Sequence, residues 1–237
     1  MKPINIYKVI AVLGLLLMSV SASAQSYLLD NPNNRGYFGI RGSYNLSLPT
    51  KVKSKTISGA TADTKKKVFG KGSGFNLGII YNQPLVANFY IEPGLTLAYS
   101  TESFKHTMDM FPAFFDKEMK HSSARKLSIQ LPVVVGYHFD FTPDISLAVS
   151  TGPVLKVGLS DDYYMTTTAG THVSGSLYGE SGTLRRVDCA WRFGVGFNIA
   201  TRYYVGVSGD LGLLDLLKVP DHSMYENAFS VSVGYNF

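Results

Sequence analysis

From Tyr37 to the C-terminus the chain repeats one phrase, about ten residues alternating apolar with small or polar, then a turn or loop. Eight such runs lie near 36–48, 72–82, 88–101, 125–139, 145–159, 184–199, 202–214 and 227–237. The last is the clearest, with Phe229, Val231, Val233, Tyr235 and Phe237 on one face and Ala228, Ser230, Ser232, Gly234 and Asn236 on the other. The sixth opposes Val187, Cys189, Trp191, Phe193, Val195 and Phe197 to Asp188, Ala190, Arg192, Gly194, Gly196 and Asn198. Period-two alternation over such lengths predicts β-strands with one face toward an apolar medium.

The sizes of the two faces decide which one points outward. The apolar face carries the bulk, with Leu131, Trp191, Phe193, Phe197, Phe229 and Tyr235; the other face is mostly Gly, Ala, Ser, Thr and Asn. An eight-stranded barrel is only just wide enough inside for side chains. Small and polar residues fit such a lumen and the aromatic set does not, so the barrel is inside-out and belongs in a membrane.

Spacing between runs gives an independent check. Short connections near Gln83–Ala87, Asp140–Asp144 and Thr201 alternate with long ones at about Pro49–Lys71, Glu102–Ala124, Ser160–Thr183 and Asp215–Glu226. Outer-membrane barrels have short periplasmic turns and long external loops. The expectation is an all-β, transmembrane, up-and-down antiparallel barrel of about eight strands over 36–237. Ten strands is the alternative if the third long loop, rich in Thr, Tyr and Val, forms its own hairpin. Pro93, Pro132 and Pro153 sit inside spanning runs; lacking the ladder N–H, each is expected to mark a bulge or a strand end.

The N-terminus reads differently. Lys2 and Lys8 precede an apolar stretch from Val9 to Val20, and Ala22-Ser23-Ala24 supplies a small-x-small cleavage pattern. Residues 1–24 are therefore expected to be a signal peptide, 25–35 a short periplasmic segment, and the mature protein an integral outer-membrane protein. Composition agrees: 13% aromatic, 23 glycines and 16% charged residues favour strands and tight turns. The formal charge of +5 falls to +3 without Lys2 and Lys8, an excess too small to argue for nucleic acid. A single cysteine, Cys189, excludes an internal disulfide.

The order of these phrases resembles the PorT-like family of bacterial outer-membrane β-barrels. It is carried by Ile129-Gln-Leu-Pro-Val-Val-Val-Gly-Tyr137, Thr151-Gly-Pro-Val-Leu155, Phe193-Gly-Val-Gly-Phe197, Asp210-Leu-Gly-Leu-Leu-Asp215 and Ser230-Val-Ser-Val-Gly-Tyr-Asn-Phe237. The resemblance implies a barrel with no shared catalytic motif; one member class serves protein secretion and gliding. Tyr235 and Phe237 look like the terminal-strand signal read by the barrel-assembly machinery, an expected partner during insertion.

Candidate chemistry lies in the lumen and the loops. Parity puts Arg41, Lys156 and Arg192 inside with Glu92, Asp188 and Asp210, a set that can pair into a structural lattice or line a pore. Lys51, Lys53, Lys55, Lys65, Lys66, Lys67 and Lys71 load the first long loop, which suits lipopolysaccharide phosphates or simple solvation. Met108, Met110, Phe111, Phe114 and Phe115 in the second loop are suited to capping the mouth, dipping into lipid or meeting a protein partner. His106, His121, His138, His172 and His222 lack ligand spacing and an acidic partner motif, so no cofactor, metal or catalytic set is expected. The leading expectation is a non-enzymatic structural or interaction barrel with a filled lumen. A small diffusion channel is the rival, and a lipid-modifying enzyme the distant third.

Overall fold

The computed structural model describes residues 35–50, 53–54, 69–104, 119–167, 170–179, 182–218 and 222–237. The expected signal peptide, nearly all of 25–35, and most of the first and second long loops lie outside them. The strands run in chain order β1 (Tyr37–Pro49), β2 (Lys53–Ser54), β3 (Phe69–Pro84), β4 (Phe89–Phe104), β5 (Met119–Thr142), β6 (Ile145–Thr167), β7 (His172–Ser176), β8 (Val187–Ile199), β9 (Tyr203–Gly212), β10 (His222–Ser223) and β11 (Glu226–Asn236). No helix among the described residues is long and apolar enough to cross a membrane, which says nothing of strands.

Eight of these strands form a closed antiparallel barrel in the order β5-β4-β3-β1-β11-β9-β8-β6, with β6 returning to β5. Each pairs with its neighbours in sequence, and β11 closes on β1 through Gly39↔Asn236 to Pro49↔Glu226. The third long loop does make a hairpin, but β7 only folds back on the far end of β6, from Asp162↔Ser176 to Thr166↔His172. It stays outside the cylinder, so the barrel count is eight.

The facing follows the parity. Phe75, Leu77 and Ile79 stand exposed on β3, Phe193, Val195 and Phe197 on β8, and Val231 and Val233 on β11. Their neighbours Asn76, Asn198 and Ser230 are buried. A barrel that exposes its large apolar residues and buries its amides is built for lipid outside.

Two details depart from the sequence expectation. Pro93, Pro132 and Pro153 mark neither bulges nor strand ends. The β4–β5 ladder steps from Pro93↔Val133 to Thr96↔Gln130, and β5–β6 from Pro132↔Val154 to Val135↔Thr151, each resuming in the same register. The missing proline N–H is absorbed by skipping local pairs rather than by shifting the strand. Register shifts lie elsewhere, between Phe69 and Gly72 on β3, and on β5 between Met119 and His121, between Leu127 and Ser128 and between Asp140 and Thr142; at the second of those on β5, Leu127↔Ser160 is followed by Ser128↔Gly158. The extra residue flips the parity: even positions face inward up to Gly158, and beyond it the odd-numbered Asp161 does. β5 and β6 extend well beyond the alternating runs that announced them.

Tight turns close the other end. Val86-Ala87-Asn88-Phe89 and Ile199-Ala200-Thr201-Arg202 each carry positive φ at both central residues, with Phe89 N donating to Val86 O and Arg202 N to Ile199 O at 3.2 Å. This is the hairpin turn whose twist matches flanking strands, built here without glycine.

Candidate functional site

The lumen is filled from the strand registers upward. Lys156 sits opposite Asp188, and Arg192 opposite Asp210, as direct cross-strand pairs. Arg192 Nε and a terminal nitrogen donate to the two carboxylate oxygens of Asp210 at 2.7 and 2.9 Å, a bidentate fork. Lys156 Nζ lies 3.6 Å from Asp210 and 4.0 Å from Asp188, with both lysine and aspartates buried. Four of the six predicted lumen charges thus form one linked group across β6, β8 and β9.

The other two are held by neutral partners. Arg41 donates to Asn236 Oδ1 at 2.7 Å and stacks its guanidinium 4.3 Å from the centre of the Tyr204 ring. Glu92 accepts from Asn82 Nδ2 at 3.3 Å. A residual cavity of about 80 Å³ lies between these groups, bordered by Arg41, Glu92, Arg192 and Tyr204, with room for a few waters. The single six-charge lattice expected from parity is therefore two sets separated by this space.

Sequence reasoning missed the upper charged layer. Lys126 pairs with Glu226, and Ser47 Oγ donates to Glu102 Oε1 at 2.7 Å. Asp161 is buried opposite Lys126. Glu102 and Glu226 lie one residue beyond runs drawn only as far as the apolar face continued. Lys126 sits within the fourth run at an inward parity.

The lumen also holds rings beside its small and polar residues. Tyr90 is buried and stacks on His138 with centroids 4.3 Å apart. Tyr204 fits because Gly196 and Gly206 face it; a Cβ at either would sit 2.5 or 2.4 Å from tyrosine atoms. The glycines were the available signal: they leave ring-sized gaps in the wall.

Above the charges the polarity inverts. Ala124, Leu177, Tyr178, Leu184, Leu216, Leu217 and Met224, with Tyr163 against them, form the hydrophobic cluster that covers one end of the barrel. Burial pushes the Tyr178 hydroxyl up to about 12, so the ring stays neutral there. Backbone bonds stitch the covering segments together: Leu184 N to Leu177 O at 3.0 Å, Arg185 N to Leu216 O at 2.8 Å, and Leu216 N to Met224 O at 2.9 Å. A cap had been expected from the aromatic-rich second loop, but Met108–Phe115 lies outside the described residues. The described cap comes from the third and fourth loops.

The remaining candidates scatter. Of the first-loop lysines, Lys71 is exposed on β3 and Lys53 lies in β2, which pairs with β10; Lys51, Lys55, Lys65, Lys66 and Lys67 lie outside the described residues. Register places His121 and His172 on either side of Thr166, and His172 Nδ1 lies 3.2 Å from Thr166 Oγ1. Among the described residues no group of three His, Cys, Asp or Glu is placed to hold a metal ion. Tyr235 and Phe237 make an edge-to-face contact at 5.2 Å, and Phe237 N donates to Phe38 O, tying the chain end to β1.

Comparison with known proteins gives a family. The family description "outer membrane protein beta-barrel domain" matches residues 10–237. Among solved structures the chain is similar to Ail of Yersinia pestis, at 15% identity over 86% of this chain and 99% of that one, with a TM-score of 0.39. It is also similar to OprG of Pseudomonas aeruginosa (10%, 85% and 96%, TM-score 0.40) and to neisserial surface protein A (11%, 84% and 95%, TM-score 0.36). A search of curated proteins finds no match.

Proposed function

The chain belongs to the outer-membrane protein β-barrel domain family and is an integral outer-membrane protein; from that premise we propose that it is a sealed structural and interaction barrel, not an enzyme. The observation that carries this is the obstruction of the lumen by the Lys156–Asp188–Asp210–Arg192 group beneath an apolar cap. A barrel of eight strands has little interior to spare, and open channels belong to barrels of about sixteen strands. The pairs that Arg192 and Lys156 make with Asp210 satisfy charges that would be costly if left alone, so they serve the wall rather than a permeant ion.

On this reading the long loops face outward, and function resides in what they touch. The partners are outer-membrane lipid and lipopolysaccharide, the assembly machinery that reads Tyr235 and Phe237 during insertion, and a protein partner at the loops; nucleic acid is not among them. The finer resemblance to PorT-like barrels supports a place in a secretion or surface assembly. Planar bilayers provide the test. The purified protein should show little steady conductance, whereas large, reproducible, ion-selective steps would favour a diffusion channel and overturn the sealed reading.

A further inference from the structure

We propose that a cleft at the capped rim, between the third and fourth long loops, binds the phosphate groups of an anionic membrane glycolipid. The proposal rests on the outward orientation of these loops argued above. The cleft has a volume of about 460 Å³. Its lining has two chemically distinct halves. Val187, the first residue of β8, and Leu214, two residues past the end of β9, are exposed apolar residues that continue the belt that includes Trp191, Phe193 and Leu211. Arg185, Arg186 and Lys218 stand immediately beyond them, all exposed. An apolar wall meeting a cationic shelf at the membrane boundary matches the junction between acyl chain and phosphorylated headgroup.

Lys218 and Arg186 are held by side-chain contacts and Arg185 through its backbone. Lys218 Nζ donates to Gly179 O at 2.6 Å, Lys218 N to Thr183 O at 2.9 Å, and Arg185 N to Leu216 O at 2.8 Å. The Arg186 guanidinium lies 5.5 Å from the centre of the Tyr178 ring, a residue of the cap core. Asp215, the acidic residue of the lining, is taken up by its own loop: its Oδ1 accepts from Leu217 N at 3.1 Å and Met224 N at 2.9 Å. Among the described residues none of the three cations belongs to an ion pair. Two guanidiniums offer forked donors and the lysine a point charge, a donor set suited to phosphate oxygens. A free phosphate would use only the cationic half; a lipid-borne one uses both.

The test uses the full protein folded in zwitterionic micelles, titrated with diphosphoryl lipid A, dephosphorylated lipid A and inorganic phosphate. Saturable binding of diphosphoryl lipid A is expected, weakened about 100-fold in the R185A/R186A/K218A variant, the scale of three cations at an anionic surface. The dephosphorylated lipid should bind the unaltered protein comparably weakly, an arm that does not depend on any variant folding. Arg202→Ala, in the turn at the opposite rim, should leave the affinity unchanged. Equal affinity for the two lipids, or undiminished affinity in a triple variant that keeps its heat-modifiable migration, overturns the proposal. Inorganic phosphate binding as tightly as the lipid overturns it as well, because the apolar half would then contribute nothing. Orientation is scored separately, by labelling Lys218→Cys in intact cells with a membrane-impermeant maleimide. Binding without labelling would overturn the outward reading and leave the phosphate site standing.

Discussion

The barrel wall and its cap solve the same problem with opposite polarity. In the wall, Val195 is 43% exposed while Lys156 is 4% exposed; in the cap, Leu217 is 3% exposed while Lys218 faces out. The chain crosses from one rule to the other within a few residues, from Val187 outward on β8 to Leu184 inward beneath the loops. The lesson is that the interior of a protein is defined by what surrounds it. Where lipid is the solvent, apolar side chains are the surface and charges must find each other inside; where water is the solvent, the ordinary core returns.

Removing a shared acid from the wall should produce the largest effect. Asp210→Ala strips the bidentate partner from Arg192 and one partner from Lys156, leaving buried cations behind. The expected cost is about 3–5 kcal/mol, read by urea unfolding from lipid vesicles. Asp188→Asn should cost clearly less, since Lys156 stands 4.0 Å away and keeps Asp210. Similar losses for the two would show that the fork at Asp210 has no special weight.

Next comes the lipid face. Val195→Arg, or Val231→Arg at its counterpart on β11, should cost about 2–4 kcal/mol if the residue lies near the bilayer midplane. The same substitution at exposed Lys71 should be nearly silent. Equal tolerance at all three sites would erase the distinction between the apolar belt and the far end of β3, where Lys71 stands.

The smallest effect should separate the regions most cleanly. Met224→Ala in the cap should cost about 2 kcal/mol of local stability. It should raise protease sensitivity in the third and fourth loops while leaving the barrel's unfolding midpoint unchanged. A parallel loss in both would mean that wall and cap unfold as one unit.

The two regions were unequally legible in the sequence. Strand facing was readable because alternation at residues such as Phe193, Val195 and Phe197 is a local property of the chain. The lumen ion pairs were readable as a set, because parity puts Lys156 and Asp188 on the same side, but the partners were not: register decides that Arg192 meets Asp210 while Arg41 meets Asn236 and Tyr204. Glu102 and Asp161 escaped because the apolar signal stops where the lipid stops, although the strands go on, and the bulge in β6 flips the parity just there. The cap was illegible in kind. Its core draws on Ala124, Leu177, Leu184, Leu217 and Met224, far apart in sequence and with no period to mark them.

That dispersal gives the cap a consequence for biogenesis. Its residues come from the far end of β5 and from the segments between β7 and β8 and between β9 and β11. The cluster can assemble only after those segments have crossed and the cylinder has taken shape. With the long loops outward, as proposed, a packed cluster on the far side would hinder those loops from passing back across the membrane.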